Sequence, residues 1–289
     1  MRNVAIVPVV RKNEDNFYVF GTAKKFSDNG FQVWFEDIHK GELYADNFAI
    51  ADSDTVFENA ELIVVLGGDG TILRAAEKAL KYDLPILGIN LGRLGYMAEL
   101  EKDEGELIDK IFTDNYGIEK RMTLSVEVIT KDGKTNHIGE VLNDVVISKG
   151  RYTHCIDIDL FADAKPVRTI RSDGLIIATP TGSTAYSMAA GGSVLDPTLE
   201  CICATPIVPI SRYACPLIFS GNSVLEVINN DERADEWSLI LDGEEEYSLL
   251  FGDKLVIKKS DKYVKMISLK EKSFFETLNN KISKYELKK

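Results

Sequence analysis

A buried strand, a glycine-rich turn and a helix follow one another near residue 67, and this pattern constrains the fold more than any other feature. Residues 62–66 form the apolar run LIVVL, which is typical of a strand buried on both faces. Gly67-Gly68-Asp69-Gly70-Thr71 comes next, and residues 72–80 are rich in helix formers. This order leaves backbone N–H groups and a helix N-terminus at the carboxyl end of a sheet, where phosphates are favoured. The turn therefore predicts a phosphate-binding site.

Asp69 is an unusual residue for such a turn, because a carboxylate repels phosphate. We interpret it as a group that takes up a proton or binds a cation during the chemistry. The alternative is a structural turn, in which the glycines only provide geometry and Asp69 caps the helix. The two better-known glycine patterns are not present. Leu73 stands where a dinucleotide fingerprint needs its third glycine, and Val128 stands where a P-loop ending at Thr135 needs its first.

The composition argues against several classes of function. With 289 residues, of which 45% are hydrophobic, the chain can form two domains with cores of their own. The formal net charge of -12 argues against binding to nucleic acid or to an anionic membrane surface, since both need basic patches. Phosphate binding is therefore expected to depend on local backbone N–H groups, a few arginines and metal ions.

Cysteine usage and hydropathy predict a cytoplasmic protein. The apolar part of residues 1–8 is too short for a signal peptide, and no apolar run approaches the length of a membrane span. The four cysteines, Cys155, Cys201, Cys203 and Cys215, form no disulfide framework and no CxxC pair. Cys201 and Cys203 suit one face of a strand, so we interpret them as buried free thiols.

Residues 1–118 predict a doubly wound α/β domain. Besides residues 62–66, strands are predicted over residues 4–10, 31–35 and 85–90. A helix is expected from residue 16 to residue 29, ending at Asn29-Gly30. Its buried face is predicted at Phe17, Phe20, Ala23 and Phe26. A second, acidic helix is expected over residues 103–112, and the βαβα order implies a parallel sheet.

Residues 119–267 predict a second domain that is β-rich and sandwich-like, because alternating strands are separated by turn signals. Lys131-Asp132-Gly133-Lys134 marks a hairpin, and residues 156–160 alternate between apolar and acidic side chains before a turn at Asp163-Ala164. Residues 268–289 are expected to return to the first domain and to form a helix from residue 270. The apolar face of this helix is predicted at Phe274, Phe275, Leu278 and Ile282.

Two further segments combine glycines with polar side chains. Leu91-Gly92-Arg93-Leu94-Gly95-Tyr96 follows the strand predicted over residues 85–90, and neighbouring strands that both end in glycine loops are typical of ligand binding in open α/β sheets. The residues leave open whether Gly92 and Gly95 do more than turn the chain. Residues 179–187, TPTGSTAYS, offer hydroxyls and one tyrosine ring to a ligand. The alternative is a capped, closely packed helix that runs to residue 191.

Together the motifs resemble those of the NAD kinase family. The segment 67–71 is the signature of a kinase superfamily that also contains diacylglycerol, sphingosine and 6-phosphofructokinases. Residues 90–96 are similar to an Asn-x-Gly-x-Leu-Gly-aromatic stretch of NAD kinases. Residues 179–187, followed by Ala190-Gly191-Gly192, resemble the second NAD kinase signature, which the lipid and sugar kinases lack. Further family positions are matched, in the family's order, by Leu142-Asn143-Asp144 and by residues 171–174 and 241–243.

This resemblance implies the transfer of a phosphoryl group from ATP to the 2′-hydroxyl of the adenosine ribose of NAD. Asp69 is the expected general base, with Mg²⁺ or another divalent metal bridging the donor phosphates. Asn143 and Asp144 are expected to hold the acceptor ribose or adenine. The substrate-binding residues that the resemblance implies are Gly68, Gly70, Thr71, Arg74, Tyr96, Asn143, Asp144, His154, Arg171, Asp173, Thr184, Ala185, Tyr186, Ser187 and Asp242. The family assembles as dimers or tetramers, so a homodimer or homotetramer is expected.

One departure from the family pattern concerns the acceptor. Asn143-Asp144 stands where most relatives have Asn-Glu, so its carboxylate reaches one methylene less far.

The sequence leaves two alternatives to an NAD kinase. A lipid or sugar kinase of the same superfamily would use the same Asp69, although an acidic chain without an amphipathic membrane-binding face disfavours the lipid version. A module that binds NAD or NADP without turnover would have no reason to retain Asp69.

Overall fold

The computed structural model describes residues 2–9, 12–39, 48–92, 95–151, 153–231, 236–271 and 274–279. The chain divides into two compact units: unit 1 comprises residues 1–120 and 264–289, and unit 2 comprises residues 121–263. Within the described ranges, no helix has both the length and the apolar character needed to cross a membrane.

Unit 1 is built on a parallel sheet with helices between its strands. The strands are β1 (Arg2–Pro8), β2 (Phe31–Glu36), β3 (Ala49–Ala51), β4 (Leu62–Gly67), β5 (Pro85–Asn90) and β6 (Leu100–Glu101). The α-helices are α1 (Lys12–Asp28), α2 (Ser53–Asn59), α3 (Asp69–Tyr82) and α4 (Asp109–Phe112). The sheet order is β3-β2-β1-β4-β5, and β5 also pairs in parallel with β6 and with Lys265 and Met266. The predicted α/β class is therefore confirmed.

Strand β4 is buried on both faces, as its apolar run predicts. All of its residues are buried. Leu62 and Val64 pack in one hydrophobic cluster with side chains of α1. Ile63 and Val65 lie on the opposite face, because successive side chains of a strand alternate, and they are buried as well. Both faces of the sheet are therefore covered at this strand, and its carboxyl end carries the glycine turn.

Helix α1 differs from its prediction in the face that it buries. Phe17 is 85% exposed, whereas Val19 is fully buried together with Ala23 and Phe26. A strict three-residue spacing drifts around a helix of 3.6 residues per turn, so the observed stripe follows the i, i+4, i+7 spacing instead. The helix ends where the sequence predicts, since Gly30 has a left-handed φ of 84°.

The helix predicted over residues 103–112 is broken into two pieces. A 3₁₀ helix covers Lys102–Ile108, and α4 follows directly. Glu104 departs from helical geometry, with φ −103° and ψ 17°. Its side chain instead accepts the Glu101 N–H at 2.8 Å, in a capping box that starts the segment.

The C-terminal segment is held within unit 1 by polar contacts. Glu99 Oε1 accepts the N–H groups of Leu269 and Lys270 at 2.6 and 2.8 Å. Residues 274–279 are helical, with Leu278 buried and Phe275 exposed, so the apolar face is narrower than predicted. Ile282, the last residue predicted on this face, lies outside the described residues.

Unit 2 consists of antiparallel strands. They are β7 (Gly117–Ile129), β8 (Thr135–Val141), β9 (Asp144–Ser148), β10 (Ile156–Ala162), β11 (Lys165–Ser172), β12 (Gly174–Ala178), β13 (Cys201–Ile207), β14 (Leu217–Ser220), β15 (Leu225–Ile228), β16 (Glu236–Leu241), β17 (Glu245–Leu250) and β18 (Lys254–Ser268). The start of β7 and the end of β18 belong to unit 1. One sheet has the order β14-β13-β12-β9-β16-β17. A second run has the order β11-β10-β15-β18, and β7 pairs with β18 and β8.

The two sets of strands in unit 2 share one hydrophobic core. Ile147 and Trp237 from the six-stranded sheet lie in the same buried cluster as Ile158 and Val227 from the second run. This is the packing of a β-sandwich, in which alternate residues of each strand face inward. The predicted turn after β10 is present, with positive φ at Asp163 and Ala164. Cys201 and Cys203 lie on one face of β13 as free thiols; Cys203 is buried as predicted, whereas Cys201 is only half-buried.

Candidate active site

Asp69 lies at the first position of α3, and its carboxylate is held by backbone from another loop. The N-cap residue is Gly68, and no side chain caps the helix, so the alternative in which Asp69 is the cap is wrong. Instead, Asp69 Oδ2 accepts the Tyr96 N–H at 2.6 Å, and Oδ1 accepts the Met97 N–H at 3.1 Å. The carboxylate is therefore fixed by two N–H donors in the loop that follows β5.

The glycines of the turn have different surroundings. A Cβ at Gly67 would lie 2.5 Å from Thr71 Oγ1, so close packing requires this glycine. The backbone N–H of Thr71 donates to Gly68 O at 2.9 Å, and Thr71 is buried, so its N–H group is engaged within the turn. At Gly68 and Gly70, no described atom would lie within 4 Å of an added Cβ, which leaves open space beside Asp69. Arg74 is exposed one turn further along α3.

The glycine loop after β5 is hydrogen-bonded to the Gly67–Thr71 turn. The Leu91 N–H donates to Gly67 O at 3.2 Å, which joins the two loops through their backbones. Asn90 is buried; its Oδ1 accepts the Gly92 N–H at 3.1 Å and its Nδ2 donates to Glu101 Oε2 at 2.9 Å. Tyr96, which the resemblance assigns to substrate, is half-buried and contributes its backbone N–H to Asp69.

In unit 2, three strand ends bring the predicted acceptor residues together. Strand β9 begins at Asp144, which pairs with Ala178 at the end of β12. The next residue, Val145, pairs with Leu241 at the end of β16. This antiparallel register places Asn143 and Asp144 beside Asp242, although about a hundred positions separate them in the sequence.

The Asp242 carboxylate holds the backbone of the acceptor segment. Its Oδ1 accepts the N–H groups of Asn143 and Asp144 at 2.8 and 3.0 Å, and its Oδ2 accepts the Leu142 N–H at 2.8 Å. Asp242 has a left-handed φ of 48° and Gly243 one of 77°, so a tight turn aims this carboxylate. The structure thus places Asp242, predicted as a substrate contact, where it fixes the segment that carries Asn143 and Asp144.

Two carboxylates in this cluster have raised pKa values. Burial, and secondarily the charge of Asp242, raises the pKa of Asp144 to about 7. Burial also raises the pKa of Asp242, against the three N–H bonds that favour its ionised form. Asp144 therefore changes its protonation state close to neutral pH.

Two buried oxygens in the same cluster have no hydrogen-bond partner among the described residues: Asn143 Oδ1 and Thr181 Oγ1. The segments that carry them are in contact, since the Thr179 N–H donates to Asn143 O at 2.9 Å and a Cβ at Gly182 would overlap with this same carbonyl. Buried polar atoms are normally bonded, so this pair indicates a place where a ligand or water supplies the partner.

Comparisons with known proteins agree with this geometry. Models of the ATP-NAD kinase N-terminal domain and of the ATP-NAD kinase C-terminal domain match residues 20–116 and 142–269. A NAD kinase of Natranaerobius thermophilus is 36% identical over 285 residues, which cover 98% of both chains. The chain belongs to the NAD kinase family. A second relative, a NAD kinase of Thermoanaerobacter sp., is 34% identical over 98% of this chain and 99% of its own.

Two solved structures share the fold of this NAD kinase family member. An NAD kinase from Archaeoglobus fulgidus in complex with ATP is 28% identical, with a TM-score of 0.74 and coverage of 97% of this chain and 98% of that one. Yeast NADH kinase complexed with NADH is 24% identical and shows the likeness in fold alone. Its TM-score is 0.85, with coverage of 96% of this chain and 86% of that one.

The second NAD kinase signature forms a shorter helix than predicted. A 3₁₀ turn over Gly182–Thr184 leads into α5 (Tyr186–Ala189), and no side chain caps either piece. The hydroxyl of Thr184 instead donates to Thr181 O at 3.2 Å, so the capping prediction is wrong. Local hydroxyl-to-carbonyl bonds hold the segment in this form.

The residues after Thr184 differ in accessibility. Tyr186 is 46% exposed and Ala185 is half-buried, so both can be reached by a ligand. Ser187 is fully buried, and its Oγ lies 2.9 Å from Thr205 Oγ1. A Cβ at Gly192 would overlap with Ser187 Oγ, so Ser187 is packed inside unit 2. Its predicted contact with substrate has no accessible surface in this structure.

A second polar cluster of unit 2 surrounds Asp173. Lys149 Nζ lies 2.6 Å from Asp173 Oδ1, and Cys155 Sγ lies 3.6 Å from the same oxygen. The hydrogen bond from Lys149 lowers the pKa of Asp173. Sequence reasoning missed Lys149, because 24 positions separate the pair and nothing in the local pattern signals it. Arg171 faces Asp157 across β10 and β11 at 3.8 Å.

His154, predicted near the nucleotide, is half-buried in the connection between β9 and β10. Its chain neighbour Cys155 contacts Asp173. His154 is therefore adjacent in sequence to a member of the Asp173 cluster.

Proposed function

We propose that this chain transfers the γ-phosphoryl group of ATP to the 2′-hydroxyl of the adenosine ribose of NAD, which gives NADP. Membership of the NAD kinase family supports this reaction, as does the ATP in the complex of the Archaeoglobus fulgidus NAD kinase. The observation that carries the proposal is the fixed carboxylate of Asp69, at a helix N-terminus between glycines that leave open space.

In this proposal Asp69 is the general base. The acceptor hydroxyl loses its proton as the new P–O bond forms, and a positioned carboxylate takes that proton. An ionised carboxylate can accept about four hydrogen bonds. Asp69 accepts two from backbone N–H groups, so it can still accept one from the substrate hydroxyl. The backbone beside Gly68 and Gly70, with the helix N-terminus, would face the donor phosphates. Arg74 would add positive charge on the same helix.

We propose that magnesium enters as part of the ATP complex. The described residues contain no group of three or more His, Cys, Asp or Glu side chains that could hold a metal ion. Independently of that finding, Mg²⁺ commonly binds through substrate phosphates and one or two carboxylates. When bound, the ion would neutralise charge on the phosphates, while Asp69 supplies the proton acceptor.

For the acceptor, we propose that Asn143 and Asp144 bind the adenosine of NAD. The unpartnered Asn143 Oδ1 is an acceptor suited to the adenine amino group, and the Asp144 carboxylate suits an amine or a hydroxyl. Thr181 Oγ1 offers a further buried partner. Tyr186, Ala185 and Thr184 would line the site, with the exposed tyrosine ring against a base.

The Asp173 cluster is proposed to serve the nicotinamide half of NAD. Arg171, Asp173 and His154 are polar, partly exposed and close in sequence to one another. Lys149 keeps Asp173 ionised, so this carboxylate can accept hydrogen bonds from ribose hydroxyls or from a carboxamide.

The test of the reaction supplies the purified chain with ATP, Mg²⁺ and one acceptor at a time. NAD, NADH, fructose 6-phosphate and diacylglycerol vesicles are the four acceptors. NADP formation with NAD, detected by an NADP-specific dehydrogenase, is the expected result. ADP release with transfer of the phosphoryl group to the sugar or the lipid would favour the rival kinases. Binding of NAD without any turnover would favour the sensing module.

We also propose a homodimer or homotetramer that works in the cytoplasm. Unit 2 exposes several large apolar side chains near its six-stranded sheet: Leu199, Val208, Ile210, Tyr213 and Ile218. Such exposed apolar surface often belongs to an interface. The free cysteines suit a reducing compartment. Light scattering during gel filtration should give a mass of at least two chains, and a monomer at every concentration would contradict the assembly.

A further inference from the structure

We propose that Gly95 is a positioning residue for Asp69: the absence of a side chain at this position sets the orientation of the catalytic carboxylate. This inference rests on the proposed function, in which Asp69 is the general base. A Cβ at Gly95 would overlap with Asp69 Oδ1 and would lie 3.0 Å from Cγ and 3.4 Å from Oδ2. The carboxylate occupies the space that any other residue would fill.

The residues after Gly95 show why the backbone must come so close. Tyr96 and Met97 donate consecutive N–H groups to the two oxygens of Asp69, at 2.6 and 3.1 Å. Both bonds form only if the loop passes directly against the carboxylate. Close approach of backbone to another group is one of the uses of glycine that its missing Cβ explains.

The backbone conformation of Gly95 does not itself require glycine. Neither Gly92 nor Gly95 has a φ in the left-handed range. At Gly92, no atom of the described chain lies within 4 Å of a Cβ position. The two glycines of this loop therefore form a matched pair, in which only Gly95 faces Asp69.

An alanine at Gly95 can be accommodated at low energetic cost if the Asp69 side chain moves. All three of the nearest atoms belong to the Asp69 side chain, which ends in a rotatable carboxylate. Rotation of the Asp69 side chain about its Cα–Cβ bond would move all three atoms away from the new Cβ and would break the bonds from Tyr96 and Met97. The variant should then fold, with its general base turned away from the geometry that the reaction needs.

The kinetic test compares Gly95→Ala with Gly92→Ala. Gly95→Ala should lower kcat for NADP formation by about 10–100-fold, because small misplacements of a reacting group cost about that much. The Kd for NAD, measured by calorimetry, should change by less than about threefold, since the three atoms nearest to the Gly95 Cβ position all belong to Asp69. Gly92→Ala should keep its kcat. Equal kcat values for the two variants would overturn the proposal.

A stability cycle tests the same contact without any activity. Asp69→Ala removes all three atoms that the new Cβ would meet. Gly95→Ala should therefore lower the melting temperature in the wild-type background and have little effect in the Asp69→Ala background. An equal decrease in both backgrounds would overturn the proposal. If Gly95→Ala alone fails to fold, the Asp69→Ala/Gly95→Ala double variant should still fold, and its failure would count against the contact.

The two proposals can fail separately. If Asp69→Asn keeps the wild-type kcat, the general-base role is wrong, while the stability cycle still reports on the contact between Gly95 and Asp69. If Asp69→Asn loses activity and the stability cycle shows no coupling between Gly95→Ala and Asp69→Ala, the general-base role of Asp69 is supported and the positioning role of Gly95 is wrong.

Discussion

At the scale of single residues, Asp144 carries a charge that its surroundings disfavour. Burial and the charge of Asp242 raise its pKa from 3.8 to about 7. Because the folded pKa lies above the unfolded value, the folded state binds more protons between the two, and stability decreases as the pH rises through this range. A rise of this size corresponds to about 4 kcal/mol in the free energy of unfolding.

Asp144→Asn should therefore stabilise the protein at about pH 8, and this gain should disappear towards about pH 4. The amide keeps the size of the side chain and cannot ionise. Thermal melts across this range measure the effect, with the exposed Asp261→Asn as the control that should move little at any pH. A variant that melts below the wild type at about pH 8 would contradict the burial cost assigned to Asp144.

Truncation of Asp144 should weaken acceptor binding. Loss of a charged hydrogen-bond partner costs about 1.5–3 kcal/mol, or about 10–150-fold in affinity. Asp144→Ala should raise the KM for NAD by that factor and leave the KM for ATP nearly unchanged. Equal increases for both substrates, or an unchanged KM for NAD, would show that the acceptor is recognised elsewhere.

Asp242→Asn tests whether Asp242 positions the acceptor segment. Asparagine tolerates the left-handed φ of this turn, but its amide would face at least one of three N–H donors. The loss should cost about 1–3 kcal/mol of stability. Removal of the charge should also lower the pKa of Asp144, so the pH dependence of the KM for NAD should shift to lower pH. A KM profile identical to the wild type would contradict the positioning role.

Sequence motifs predict Asp69 and Asp242 as site residues, but they do not predict which backbone groups these side chains bond to. The glycine turn predicts Asp69 at a phosphate site, and its donors, Tyr96 and Met97, lie 27 and 28 positions away. The family pattern predicts Asp242 at the substrate, and it bonds backbone 98 to 100 positions away. Such pairs depend on strand register and loop packing, which no local pattern determines.

At the scale of secondary-structure elements, the C-terminal segment offers a clear test. Glu99 accepts two consecutive N–H groups of this segment, and burial raises its pKa. Glu99→Ala would leave those donors without a partner, at a cost of about 1–3 kcal/mol each. Its melting temperature should therefore fall by several degrees, roughly 2–4 °C per kcal/mol for a unit of this size.

The control for Glu99→Ala is Glu77→Ala, on the exposed face of α3. Its side chain is 71% exposed and forms a 3.4 Å ion pair with the neighbouring Lys78, which contributes little at such exposure. The control should melt close to the wild type. If both variants lose the same stability, the Glu99 contacts do not hold the C-terminal segment.

Elements with strong local signals are predictable, and those set by tertiary contacts are not. The order of strand, turn and helix at β4 and α3 follows from an apolar run, glycines and helix formers. Helix α1 ends as predicted but buries Val19 rather than Phe17, because the true helical period overrides a spacing of three. Helix α5 is short, because hydroxyls around Thr184 bond to nearby carbonyls instead of capping a helix.

At the scale of the whole molecule, the pattern of apolar residues in the predicted strands changes along the sequence. This change predicts an α/β half and a β-sandwich half. Buried runs separated by helices require parallel pairing, and alternating strands with short turns favour antiparallel pairing. The proposed chemistry is divided in the same way. Unit 1 carries the carboxylate of Asp69, and unit 2 carries the side chains proposed for NAD. The net charge of -12 leaves phosphate binding to local groups.

The most direct test of the proposed reaction is the kcat of Asp69→Asn for NADP formation, measured with saturating ATP and NAD. Removal of a general base typically lowers the rate by about 10²–10⁴-fold, so a loss in that range is predicted. The Kd for NAD and the melting temperature should stay close to those of the wild type, since the amide preserves the shape of the side chain. An Asp69→Asn variant that retains more than half of the wild-type kcat would contradict the general-base role.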